Sequence, residues 1–192
     1  MKKSIIDAAL LLTNQVEVNK TLGLKTSVVL LDVKGAFNHV AKNQLLRILK
    51  ELRLLIYLIS WIKSFLEDRI LKLVFNGQIK GFSLINTGIP QGSPISPILF
   101  LIYTRNLYKF LNIKVFSYIE DIALIVSSTG FKKNVKILER EISKLYDLGA
   151  KEAIQFDISK TELIYFSKTK AAKAAILTLP NQEILQPKNL VR

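Results

Sequence analysis

The sequence contains no cysteine, which excludes disulfides and thiolate metal centres and leaves an intracellular location as the default expectation. It contains one histidine, His39, and acid-base work needs a positioned partner that the sequence does not offer, so His39 is assigned no role. No apolar run reaches the roughly 18 residues that span a bilayer. Residues 54–62 are cut by Ser60 and closed by Lys63, and residues 95–103 contain Ser96 and Pro97, so no membrane partner is expected. The basic start Met1-Lys2-Lys3-Ser4 runs into Asp7 without a small-residue cleavage site, which argues against a secretory signal. Acid is scarce too: 28 Lys and Arg stand against 15 Asp and Glu, and a net charge of +13 favours polyanionic partners through counterion release. The cations are spread along the chain, with a loose group at Lys168, Lys170 and Lys173, and define no single patch.

What is present is enough apolar material for a core. A chain of 192 residues with 49% hydrophobic content reads as one folded domain, with no internal repeat. Ile5, Ile6, Ala9, Leu10, Leu12, Thr13 and Val16 predict an amphipathic helix over 4–19, ending near Gly23. Residues 27–33 are β-branched and apolar on both faces, as in a central strand that ends at Asp32. Leu45, Leu49, Leu52, Ile56, Ile59 and Ile62 keep a helical period across 44–69, as one long helix or two joined near Arg53. Tyr57, Trp61 and Phe65 share this stretch at core spacing and read as packing residues rather than stacking platforms.

Asn76-Gly77 predicts a hairpin turn between strands over 71–75 and 82–86. Ser93-Pro94 and Ser96-Pro97 each offer a helix start, after which Leu99, Ile102, Tyr103, Asn106, Leu107 and Phe110 lie along one face. Two apolar strands, 114–119 and 122–127, flank Glu120 and Asp121 in a tight hairpin. Val135, Leu138, Ile142 and Leu145 mark a further helix with Gly149 as its stop, and 161–166 reads as a strand. The fold class is therefore α+β, a sheet with helices packed on one face. Residues 1–168 form the folded part, and 169–192 read as a basic, poorly ordered tail.

Three segments carry the chemistry. They are Leu31-Asp32-Val33-Lys34-Gly35-Ala36-Phe37, Gly88-Ile89-Pro90-Gln91-Gly92-Ser93-Pro94 and Ser117-Tyr118-Ile119-Glu120-Asp121-Ile122. Nucleotidyl transfer needs charge stabilisation on the attacking and leaving oxygens, which two divalent ions about 3.5–4 Å apart provide, and hard Mg²⁺ ions take carboxylate ligands. Asp32 and Asp121 supply these if their strands are neighbours. Adjacent acids at a hairpin tip repel one another, a cost that a shared cation removes.

With these residues the chain resembles the reverse transcriptase domain of non-LTR, LINE-like retrotransposons. That family carries an Asp-Val-Lys-Gly-Ala-Phe motif, a Gly-Ile-Pro-Gln-Gly loop and an aromatic-x-Asp-Asp box in this order. Ile5-Ile6-Asp7-Ala8-Ala9, Trp61-Ile62 with Ser64-Phe65-Leu66 and Asp68-Arg69, and Lys160-Thr161-Glu162-Leu163-Ile164 extend the likeness from Ser4 to Lys168. The resemblance implies a polymerase palm with part of the fingers, and with fingers and thumb otherwise largely absent. It implies an RNA-directed DNA polymerase that uses Mg²⁺, or Mn²⁺ in its place, with an RNA template, a DNA primer and deoxynucleoside triphosphates. Asp32, Asp121 and Glu120 would be its metal ligands, and Val33 would add its carbonyl. Phe37 would be an aromatic gate against a ribose 2′-hydroxyl, Gln91 and Gly92 would lie against nucleotide and template, and Lys160 would assist the departing pyrophosphate. A working retroelement would be nuclear.

The chain departs from the family at Glu120, where the first aspartate of the acidic pair stands. The added methylene moves the carboxylate by more than about 1 Å, a displacement that can cost about a hundredfold. Asn38 replaces an aspartate after the gate residue, and Arg53-Leu54-Leu55 replaces a Gly-Ile-Pro turn. A truncated, drifting copy is thus the alternative to an active enzyme: an inactive remnant with non-specific nucleic-acid binding. An intron-encoded maturase is a third, less fitting palm polymerase.

Overall fold

The computed structural model describes residues 5–109, 111–167, 169 and 174–188. Ser4, Phe110, Lys168, Lys170 and Lys173, which figured in the sequence reading, lie outside these residues. Where one domain was expected, contacts group the chain into two compact units, Met1–Lys34 with Asn106–Lys151 and Gln155–Arg192, and Gly35–Arg105 with Glu152–Ile154.

The first unit is built on a five-stranded sheet in the order β4-β5-β1-β6-β9. Its strands are β1 (Lys25–Asp32), β4 (Lys114–Tyr118), β5 (Asp121–Ser128), β6 (Glu162–Tyr165) and β9 (Pro187–Lys188). β1 is central, as its two-sided apolar pattern requires, and pairs antiparallel with both β5 and β6. Helix α5 (Phe131–Lys151) buries the expected stripe of Val135, Leu138, Ile142 and Leu145. Its Asn134 Nδ2 donates to Ser27 Oγ at 2.9 Å, which fixes the helix on the face of β1 that Ser27 presents. Helix α1 (Ile5–Thr21) instead reaches Thr26, whose Oγ1 accepts from Asn19 Nδ2 at 3.1 Å. Successive strand residues point to opposite faces, so the Thr26 side belongs to α1, a placement the sequence reading did not make. Gly149 does not stop α5; it is buried within it, and the chain leaves the helix through Ala153 at φ +55°.

The amphipathic reading of α1 holds only in part. Val16 and Asn19 are buried, whereas Ile6 and Leu10, expected on the apolar face, are largely exposed. Residues 174–188, within the segment where little order was expected, carry a hairpin of β7 (Leu177–Thr178) and β8 (Ile184–Leu185) and then β9. Leu177 and Leu179 are buried, and the Tyr165 hydroxyl donates to the Ala175 carbonyl at 2.8 Å. Burial of that phenol pushes its pKa up to about 12.

The second unit holds α2 (Lys42–Glu51), α3 (Ile56–Leu66), most of α4 (Ser96–Lys109) and the β2–β3 hairpin (Ile70–Phe75, Gln78–Leu84). The hairpin turns at Asn76-Gly77 with both φ angles positive, as the dipeptide predicts. Of the two readings for 44–69 the structure takes two helices. Leu45, Ile48 and Leu49 of α2 and Ile59, Ile62 and Leu66 of α3 are buried. Arg53 between them takes φ +54°. An arginine stands at this join in the left-handed backbone that suits a glycine. Tyr57 and Trp61 are not packing residues, being 63% and 53% exposed. No helix among the described residues is long and apolar enough to cross a membrane.

Two predictions follow from this packing. Arg53→Gly relieves the left-handed strain and raises stability by about 0.5–1 kcal/mol, read as a higher urea midpoint. Glu141 in α5 is fully buried, accepting from Asn112 N at 3.0 Å, Arg140 Nε at 2.9 Å and Lys144 Nζ at 3.1 Å. Burial alone raises its carboxyl pKa, but these donors outweigh that and hold it below the ordinary 4.5. A depressed carboxylate contributes stability above its unfolded pKa and loses it as pH falls through the folded one. Glu141→Gln therefore costs about 2 kcal/mol at neutral pH, and the gap to the parent chain narrows as denaturation is followed downward from the ordinary value.

Candidate active site

β1 ends at Asp32, β5 begins at Asp121, and the antiparallel register makes the two residues direct partners. Such partners lie on one face with Cβ atoms about 4.5–5.5 Å apart. Two carboxylates are thereby set side by side at the end of the central strands.

The neighbouring edge of β1 supplies a cation. The Asp157 N–H donates to the Asp32 carbonyl at 2.8 Å, and a 3₁₀ turn, Ile158–Lys160, follows. Asp157 caps this turn, accepting from Ser159 N at 3.1 Å and Ser159 Oγ at 2.6 Å. The turn brings Lys160 Nζ to Asp32 Oδ2 at 3.1 Å. The hydrogen bond to Asp32 first, and then the charges of Asp32, Asp157 and Asp121, hold the Lys160 pKa above its ordinary value. The Asp157 carboxyl is held below its own, chiefly by the Ser159 hydroxyl. Sequence reasoning missed Asp157, although an aspartate two residues before a serine is a recognisable turn signal.

Glu120 lies at the tip between β4 and β5, where Tyr118 pairs with Asp121 and only Ile119 and Glu120 make the turn. Its carbonyl accepts from Val33 N at 3.1 Å, tying the tip to the strand that carries Asp32. Ile119 takes φ +53°, a position that costs a β-branched residue on the order of 1–3 kcal/mol. Among the described residues no three acids or histidines gather as a metal-holding group. What the fold assembles is the pair Asp32 and Asp121 with Lys160 against the first. Beside Asp121, an apolar cavity of about 200 Å³ opens between α1 and the sheet, lined by Ala8, Ala9, Leu12, Leu30, Phe116 and Tyr118 among others.

Phe37, Gln91 and Gly92 belong to the second unit and are brought together there. The loop at 88–92 is held to the segment after β1: Gly88 N donates to Val40 O at 2.8 Å and Ile89 N to Phe37 O at 2.7 Å. Gln91 Nε2 reaches Asn38 Oδ1 at 3.5 Å. The Phe37 ring lies 5.5 Å from that of Phe100 in α4. Arg69 Nη2 donates to the carbonyls of Thr87 and Gly88, and Ser96 Oγ, at the start of α4, donates to Pro90 O. Gly92 sits at φ +85°, open to its surroundings.

A sheet whose central strands end in facing aspartates, with a Pro-Gln-Gly loop opening a helix, defines a palm-type polymerase domain. The family profile described as "Reverse transcriptase (RNA-dependent DNA polymerase)" matches residues 2–183, and the chain belongs to that family. It is 26% identical over 130 residues to the Pol polyprotein of the type-1 retrotransposable element R2 from Popillia japonica, covering 68% of this chain and 22% of that protein. It is 28% identical over 145 residues to the RNA-directed DNA polymerase of the mobile element jockey from Drosophila funebris, covering 71% and 16%. Both relatives come from non-LTR elements, which bears out the resemblance read from the motifs. The chain thus spans about a fifth of the length of these curated relatives. Telomerase from Candida tropicalis shares the fold, with TM-scores of 0.61 for an apo form and 0.64 for a complex with a telomeric RNA fragment. Those matches are 17% and 18% identical and cover 97% of this chain against 40% and 33% of theirs.

A Cβ on Gly88 would lie 2.7 Å from the backbone oxygens of both Phe37 and Asn38, at φ +73°. Gly88→Ala is expected to destabilise the chain by about 2–4 kcal/mol, measured by urea denaturation, because neither backbone oxygen can withdraw cheaply.

Proposed function

We propose that this chain is the palm portion of an RNA-directed DNA polymerase that performs two-metal nucleotidyl transfer. The observation that carries the reading is the facing register of Asp32 and Asp121. Two hard oxygen donors on one face suit Mg²⁺, and the ammonium already drawn to Asp32 reports the attraction of that spot for a cation. Asp32 and Asp121 would hold the ions, with the Val33 carbonyl and Glu120 beside them. When bound, such ions relieve the charge that builds on the attacking and leaving oxygens.

The remaining roles follow from the resemblance and the chemistry of each group. Lys160, a strong donor one bond from Asp32, would place positive charge where pyrophosphate leaves. Phe37 would favour deoxynucleotides by crowding a 2′-hydroxyl, and Gln91 and Gly92 would lie against nucleotide and template. The substrates would be an RNA template, a DNA primer and deoxynucleoside triphosphates, and the place of work the nucleus. The second reading, an inactive remnant with residual nucleic-acid binding, is favoured by one observation: the tip residue beside Asp121 is a glutamate, one methylene longer than the aspartate of the motif it resembles.

Primer extension on an RNA template separates the two readings. Extension with Mg²⁺ or Mn²⁺ that is lost in Asp32→Ala, and that rises about tenfold or more in Glu120→Asp, is the expected result for the enzyme. No extension by either the parent chain or Glu120→Asp would leave the remnant.

A further inference from the structure

Helix α1 lies over the sheet on the face that Thr26, Val28, Leu30 and Asp32 share. That face is closed at Val28 and its register partner Ile125, which are 0% and 4% exposed. One step nearer the acids, Leu30 and its partner Ala123 are only half-buried. The helix shows the same gradient, since Val16 is buried while Leu12 and Ala8 are half-buried. With an alanine on each wall, Ala8 on the helix and Ala123 on the sheet, the side chains are too short to meet, and the cavity of about 200 Å³ is the space they leave.

The walls and the mouth of this cavity call for different chemistry. Ala8, Ala9, Leu12, Leu30 and Phe116 present carbon, and an apolar cavity of about 150 Å³ stays dry and takes up a ring the size of benzene. The charged side chain among the lining residues is Asp121, which is exposed. Lys160 is seated on Asp32, and Asp121 forms no ion pair among the described residues. Tyr118, its direct partner across the β4–β5 ladder, also lines the cavity, so an aromatic ring stands beside the carboxylate. Asp7 and Glu120, the chain neighbours of Ala8 and Asp121, are acids too, in a protein of net charge +13. A carboxylate with an aromatic face next to it seats an ammonium group and repels an anion.

We propose that the cavity under α1 is a binding site for a small aromatic amine. The ring lies between the two alanines, against Leu12, Leu30 and Phe116, and the ammonium meets the Asp121 carboxylate beside the Tyr118 ring. This goes beyond the polymerase reading and needs no metal ion, because Asp121 acts here as a bare carboxylate.

The test follows the alanine methyl groups of the full chain by NMR, in buffer with a chelator, during titration with 2-phenylethylamine, 2-phenylethanol or phenylacetate. The expected result is saturable shifts of the Ala8, Ala9 and Ala123 methyls with the amine, binding about fivefold weaker for the alcohol, and none for phenylacetate. Asp121→Asn, at an exposed position that leaves the fold intact by circular dichroism, brings the amine down to the affinity of the alcohol. Ala8→Leu fills the space and removes binding of both. Phenylacetate bound as tightly as the amine would overturn the proposal, as would Asp121→Asn binding the amine at full strength. Shifts spread over alanines outside the cavity, or no shift with the amine at millimolar concentration, overturn it as well. Primer extension decides a separate question, since a chain inactive in that assay still binds the amine if the cavity is a site, and failure to bind leaves the polymerase reading standing.

Discussion

The register of β1 against β5 is the constraint on which the rest depends. Side chains alternate across a strand, so a slip of one residue would carry Asp32 to the face of α5 and leave it opposite an apolar residue of β5. Several interactions hold the register against that slip. Val28, Val29 and Leu31 pack on both sides of β1, Asn134 reads the Ser27 hydroxyl, and Asn19 reads Thr26. The acids are aligned by apolar burial and two asparagines placed well away from them. The fold and the candidate site therefore share one determinant, the central strand.

Around that strand the site is assembled from turns under local constraint. The β4–β5 tip is two residues long and places an isoleucine at positive φ, and the Asp157 cap directs Lys160 toward Asp32. Strain that persists at such a tip is held by the hydrogen bond from Val33 to the Glu120 carbonyl and by the paired strands behind it. The loop at 88–92 shows the same design in the other unit, where backbone bonds to Phe37 and Val40 leave no space for a side chain at Gly88.

Much of this was legible in the sequence, for a physical reason in each case. A two-sided apolar run is a central strand, an Asn-Gly pair is a hairpin turn, and an acid at the end of such a strand is placed where sites form. The pairing of Asp32 with Asp121 was legible only through the order of three motifs, since no local signal spans strands so far apart. Gly149 misled because its neighbours bury a continuous stripe that outweighs one weak helix former. The periodicity leaves one long helix or two joined near Arg53 open, because apolar residues continue through the join, and the positive φ of Arg53 decides for two. Trp61 and Tyr57 share the helical spacing of core residues, and spacing does not say which of two apolar faces a helix buries.

The ammonium seated on Asp32 sets the terms on which that carboxylate meets any other ion. If Asp32 holds a divalent ion, as proposed, that ion would have to displace a tethered cation rather than enter a bare anionic pair. Occupancy would then be an exchange with a group whose local concentration the fold maintains. In the structure described, one of the two facing acids is already paired with a lysine.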